Sequence, residues 1–125
     1  MRDREIVVEV LEQVEQVIEN LLESTANLSD INELLKSADG LLRLNGICMS
    51  FIIIGEEIKR IDRYTDEQLL PNYPAIPWKS VKGMRDKIAH GYFEIDTDVV
   101  FDTLKNDIPP LLLVIRQIKS DIERN

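Results

Sequence analysis

The sequence predicts an all-α fold: an antiparallel helical bundle with short appended helices, formed by one domain over residues 1–125. Three observations predict it. Apolar residues recur at alternating steps of three and four along three stretches of the chain. The length of 125 residues suits one domain with one modest core. No strand-like alternation, internal repeat or low-complexity segment stands out.

Residues 4 to 23 read as the first long helix. Val7, Val10, Val14, Val17 and Leu21 lie 3, 4, 3 and 4 residues apart, one apolar stripe along a helix, with Leu11 and Ile18 flanking it. Residues 24 to 27 interrupt the pattern. Ser29 is the expected cap of a short helix reaching Lys36, and Ser37 or Asp39 then starts a second long helix to about Arg63. In that helix Ile47, Phe51, Ile54, Ile58 and Ile61 are spaced 4, 3, 4 and 3, with Cys48, Met49, Ile52 and Ile53 on other sides. It is expected to be central, or to bury a second face in a subunit interface. Gly46 and Gly55 each cost about 1 kcal/mol of helix propensity against Ala, which close helix packing would offset.

Residues 64 to 77 form an irregular connection, because Pro71, Pro74 and Pro77 exclude a continuous helix there. Tyr73 and Trp78 are expected to pin it to the body. Pro77 suits the first turn of a helix running from Trp78 to about His90 and stopping near Gly91. Asp96 or Thr97 caps a short helix to about Asn106. Pro109 opens the last helix, where Leu111, Ile115, Ile118 and Ile122 repeat the 4, 3, 4 spacing.

Composition narrows the function. The hydrophobic fraction is 44% and the charged fraction 30%, values of a folded, soluble chain. The N-terminus runs straight into an amphipathic pattern, so no signal peptide is expected. The apolar run Leu41 to Gly55 is broken by Arg43 and Asn45 and is short for a bilayer. The one cysteine, Cys48, sits among apolar neighbours, as a buried structural thiol would. A cytoplasmic location and no membrane partner are expected. The net charge of −8 argues against broad non-specific binding to nucleic acid, and no DNA partner is expected. Between Pro77 and Tyr92, however, Lys79, Lys82, Arg85 and Lys87 face only Asp86. Such a basic island in an acidic chain is either a solvated helix face or an anion site.

The only histidine, His90, follows Arg85 by five residues. Five residues turn an ideal helix by about 500°, which leaves the two side chains roughly 140° apart. They do not share a face of a continuous helix. Either the helix ends near His90, or the pair works with groups from another chain. A histidine in a last helical turn feels the negative end of the dipole, and its imidazole titrates near neutrality, as proton transfer requires. A guanidinium holds phosphate by a two-pronged contact. A plain salt bridge and a polar helix cap would explain the same residues. A zinc site needs three or four converging ligands, and one His and one Cys do not supply them. No metal, cofactor, glycine-rich phosphate loop or serine nucleophile is indicated.

The stretch Tyr73-Pro-Ala-Ile-Pro-Trp-Lys-Ser-Val-Lys-Gly-Met-Arg-Asp-Lys-Ile-Ala-His-Gly-Tyr-Phe resembles the HepT branch of the HEPN superfamily. That family's motif is Arg, a polar residue, three variable residues and His, here Arg85, Asp86 and His90, with a Tyr two residues on, here Tyr92. Ile54-Gly55-Glu56 and Asn106-Asp107-Ile108-Pro109 also resemble it, so the likeness covers most of the chain. The resemblance implies a metal-independent endoribonuclease, the toxin of a toxin–antitoxin pair, acting as a homodimer with the two motifs facing each other. It implies a separate minimal nucleotidyltransferase antitoxin that silences the toxin by transferring AMP to Tyr92. On this reading Arg85 and His90 carry the chemistry, Asp86 supports them, and Lys79, Lys82 and Lys87 bind RNA. Two other readings stand beside it. One is a non-catalytic helical module that binds a nucleotide or presents a tyrosine to a nucleotidyltransferase. The other is a purely structural bundle.

Overall fold

The computed structural model describes residues 2–88 and 94–124. They build an all-α helical bundle, with no β-strand among the described residues. In order, these are α1 (Arg2–Ser24), a 3-10 turn (Ile31–Lys36), α2 (Ala38–Tyr64), a 3-10 turn (Leu70–Asn72), α3 (Trp78–Lys82), α4 (Met84–Ile88), α5 (Thr97–Asp102), a π-helical turn (Thr103–Asp107) and α6 (Ile108–Arg124).

The core lies between the long helices, with α1 packed against both α2 and α6. Ile47, Phe51, Ile54, Ile58 and Ile61 of α2 are all buried, as their spacing requires. Each such side chain contributes about 1.5–3 kcal/mol on leaving water. On α1 the buried line runs through Leu11, Val14 and Ile18, while Val17 is only half-buried. Val7, Val10 and Leu21 of the expected stripe are buried as well, and Leu11 and Ile18 widen it to meet a neighbour on either side. Glu15 ties α1 to α6, accepting from Arg116 Nε at 3.0 Å and Lys119 Nζ at 2.7 Å. The Lys119 hydrogen bond chiefly holds the Glu15 carboxyl below its ordinary range.

Local signals explain the element ends. Ser37 Oγ accepts from the Gly40 N–H at 2.9 Å and starts α2. The preceding 3-10 turn is capped by Asp30, which accepts from the Asn32 N–H, and not by Ser29. Asp96 caps α5 through the Val99 N–H at 3.2 Å. Tyr73 and Trp78 pin the proline-rich connection by hydrogen bonds as well as packing. Trp78 Nε1 donates to the Tyr73 carbonyl at 2.9 Å, and the Tyr73 hydroxyl donates to Asp121 of α6 at 2.7 Å. Cys48 is buried, and burial pushes its thiol pKa up, away from reactivity.

One helix expected as continuous is divided. The helix expected over Trp78 to His90 breaks at Gly83, giving α3 and α4. The end of that helix near Gly91 falls outside the described residues. The last helix starts at Ile108, one residue before the expected Pro109, and α5, the π turn and α6 follow without a loop. Pro109 and Pro110 lack the N–H groups that would meet the carbonyls of Lys105 and Asn106, and their rings crowd the preceding turn. The wider π turn gives the rings room, and the Ile108 N–H reaches back to the Thr103 carbonyl. α2 is also long and apolar enough to cross a membrane, by length and composition alone. Its Ile47–Ile61 face is instead buried inside the bundle.

Candidate active site

Val81, Met84 and Ile88 are buried and fix α3 and α4 to the body. Their spacing of 3 and 4 makes one apolar edge that continues across the break at Gly83. α3 comes close to α2 because α2 has a glycine there. A Cβ on Gly55 would stand 2.9 Å from the Val81 carbonyl oxygen. The propensity cost of Gly55 is thus offset by close packing. No such packing surrounds Gly46, whose added Cβ would meet nothing within 4 Å.

The basic island divides into two parts. Lys82 turns inward and donates to Asp62 Oδ2 of α2 at 2.6 Å, with 29% of the lysine side chain and 10% of the aspartate exposed. It holds α3 to the last turns of α2. Lys79, Arg85, Asp86 and Lys87 are exposed. Lys87 lies 3.5 Å from Asp107 at the end of the π turn. Neither Arg85 nor Lys79 has a carboxylate at ion-pair distance among the described residues. Arg85 therefore presents an uncompensated guanidinium on a short helix whose other side is anchored in the core. Such a group has its donors available to an anion.

His90 and Tyr92 lie outside the described residues. What the structure fixes is the frame around them. The Ile88 carbonyl accepts from the Asp96 N–H at 2.9 Å, so the chain returns at Asp96 to the point it left at Ile88. Ile88 is fully buried, which makes this closure firm.

A cleft of about 420 Å³ opens between α3, α4, the π turn and the start of α6. Ile76, Met84 and Leu111 give it apolar walls, and Lys87, Asn106 and Asp107 line its polar side. Thr103 lies in its wall, buried, and its hydroxyl has no hydrogen-bond partner among the described residues. Asp62, Thr103 and the facing position of Asp107 are what sequence reasoning missed. Asp62 left one trace, a carboxylate next to Ile58 and Ile61 on the core side of a helix. Among the described residues, no group of three His, Cys, Asp or Glu side chains gathers where it could hold a metal ion.

Comparison with known proteins gives a consistent answer. A family model described as "Ribonuclease HepT-like" matches residues 14–118. A candidate RNase of Methanocaldococcus jannaschii is 34% identical over 77 residues, which cover 62% of this chain and 60% of that protein. A candidate ribonuclease HepT of Thermococcus cleftensis is 46% identical over 59 residues, covering 47% and 50% of the two chains. A second candidate RNase of M. jannaschii is 28% identical over 112 residues, covering 88% and 94%. The match thus spans about half to three-fifths of several of the relatives, and nearly all of another. No solved structure matches the chain.

Proposed function

The chain belongs to the HepT-like ribonuclease family, and from that premise we propose that it is a metal-independent endoribonuclease acting as a toxin. The observation that carries the reading is Arg85, an exposed guanidinium with no carboxylate partner among the described residues. It stands on a helix anchored by Met84 and Ile88. Cleavage by 2′-OH attack develops negative charge on the phosphorus oxygens, which a positioned guanidinium stabilises. A proton must leave the 2′-oxygen and another must reach the departing 5′-oxygen. His90, two residues beyond the held carbonyl of Ile88, moves the proton, and Asp86 orients the pair. Lys79 and Lys87 draw RNA toward the site, whereas Lys82 is engaged by Asp62 and acts through the position of α3.

One chain has a single imidazole, so the site is composite and the protein a homodimer. The support lies on α2. Leu42, Gly46, Met49 and Ile53 follow at 4, 3 and 4 residues and are exposed, Leu42 by 71% and Met49 by 55%. This is the spacing of a seam against another helix, and glycine lets that helix come near. A second copy of α2 is the occupant. Tyr92 is the regulatory residue. A minimal nucleotidyltransferase antitoxin transfers AMP from ATP to its phenol oxygen, releasing pyrophosphate. The added phosphate places negative charge where substrate phosphate would bind. The pair works in the cytoplasm and takes RNA rather than DNA.

The test is cleavage of RNA by the purified protein in excess chelator. His90→Ala and Arg85→Ala are each expected to slow it about 100-fold or more. Undiminished cleavage by His90→Ala would overturn the assignment. The acidic balance of −8 favours one competing reading, a nucleotide- or partner-binding module. That reading predicts binding without cleavage at any protein concentration.

A further inference from the structure

The cations of the basic island are held to three different degrees. Lys82 is committed to Asp62 at 2.6 Å. Lys79 and Arg85 have no carboxylate at ion-pair distance among the described residues. Lys87 lies between these cases. Its ammonium stands 3.5 Å from Asp107 Oδ2, with 43% of the lysine side chain and 49% of the aspartate exposed. A charge-assisted hydrogen bond is shorter, about 2.7–2.9 Å. An ion pair this open to water contributes little and can be exchanged for another anion.

The irregular turn puts the carboxylate there. In a regular α-helix the Ile108 N–H would meet the Leu104 carbonyl, but here it reaches back to Thr103. One extra residue is thereby held in the turn that carries Asn106 and Asp107. Asn106 donates to Asp102 at 2.7 Å, so those two side chains engage each other. Asp107 is left to face Lys87 of α4, and both line the cleft between the two elements. π turns of this kind recur at functional sites. Where the ammonium keeps its place, a phosphate oxygen bonded to it lies within about 7 Å of Asp107, inside the screening length of about 8 Å. Phosphate and carboxylate then compete for one cation.

We propose that Asp107 is an autoinhibitory counter-ion: it occupies Lys87 in the free protein, and RNA must displace it, which lowers the affinity of the site. This rests on the reading of Lys87 as an RNA contact, and it gives a role to a residue that reading leaves out.

The experiment measures fluorescence anisotropy of a labelled hexauridylate with His90→Ala protein and with further substitutions in that background. Asp107→Asn is expected to bind two- to fivefold more tightly, about the range that an exposed ion pair implies. Asp98 is an exposed carboxylate of α5 that lines a different cleft, beside Ser29 and Asp30. Asp98→Asn removes the same charge without touching Lys87, and is expected to change affinity by less than about 1.5-fold. Combined with Lys87→Ala, Asp107→Asn should gain no more than Asp98→Asn does. Unchanged or weaker binding by Asp107→Asn, an equal gain from Asp98→Asn, or a gain that persists in Lys87→Ala would overturn the counter-ion. In each of these cases the RNA reading stands if Lys87→Ala by itself weakens binding. No binding of RNA by any of these proteins would remove the ribonuclease reading and the counter-ion with it.

Discussion

At the residue scale, two polar contacts decide how the site's frame behaves. Lys82 and Asp62 form the pair that fastens α3 to α2, and Asp62 is 8% exposed. Removing the lysine leaves a largely desolvated carboxylate without its cation. Lys82→Ala is therefore expected to cost about 2 kcal/mol, read from urea unfolding, less than a fully buried pair because the lysine keeps some solvent. A loss below about 0.5 kcal/mol, typical of a surface pair, would show that the contact does not fasten α3. The second contact is Tyr73 to Asp121 at 2.7 Å. Burial first, and the Asp121 hydrogen bond second, push the Tyr73 phenol up to about 12 from an ordinary 10. A group whose pKa is raised by folding gives its full stabilisation below the unfolded value and loses it as pH rises through the folded one. The stability advantage of wild type over Tyr73→Phe should therefore shrink between pH 10 and about 12. Asp121, held below its usual 3.8 chiefly by the Tyr73 hydrogen bond, works in the opposite sense. Its contribution is present above 3.8 and fades as the medium becomes more acidic. Melting temperatures of both proteins across pH 3 to 12 test this. An unchanging difference across that range would mean that the hydroxyl contributes nothing.

At the element scale, the two glycines of α2 make opposite predictions. Gly55→Ala drives a methyl to 2.9 Å from the Val81 carbonyl, so α3 must shift, at a cost of about 1–3 kcal/mol. Because α3 leads into the helix of Arg85, RNA cleavage should fall with stability. Gly46→Ala meets open space within the chain and should stabilise the monomer by about 1 kcal/mol through helix propensity. The same methyl stands on the Leu42–Met49–Ile53 stripe, so it should weaken dimerisation. Sedimentation of wild type, Gly46→Ala and Met49→Glu checks this, and a wild type that stays monomeric at high concentration removes the α2 seam. The elements also show what was legible in the sequence. The helices whose core side chains recur at three and four were readable, because burial follows periodicity. Arg85 was singled out by its motif, and it stands exposed on α4. The break at Gly83 and the π turn were not. Gly83 has a negative φ and needs no glycine-only conformation, so no local backbone signal marks the break. The π turn arises from two prolines inside a helix that tertiary contacts keep continuous. The Lys82–Asp62 pair spans 20 residues, beyond any local pattern.

At the scale of the whole molecule, the charge distribution makes the proposed RNA binding a contest between a small basic face and an acidic body. The chain carries −8, so distant approach to a polyanion is unfavourable and attraction is confined to the screening length, about 8 Å at physiological salt. Only Lys79, Arg85 and Lys87 are exposed cations of the island, since Lys82 is taken up by Asp62. Single-stranded nucleic acid releases roughly 0.7 counterion per neutralised phosphate. A protomer that uses all three cations should then give a slope of log K against log salt of about −2. Lys79→Ala and Lys87→Ala should each flatten that slope by about 0.7, whereas Lys82→Ala should alter stability and leave the slope nearly intact. Titration of the His90→Ala protein with a short RNA at several salt concentrations measures all four slopes. A slope much steeper than −2 per protomer would mean that cations outside this island contact RNA, and the track of the strand would have to be drawn elsewhere. A slope that drops for Lys82→Ala but not for Lys87→Ala would reverse the division of the island into an anchoring part and a binding part.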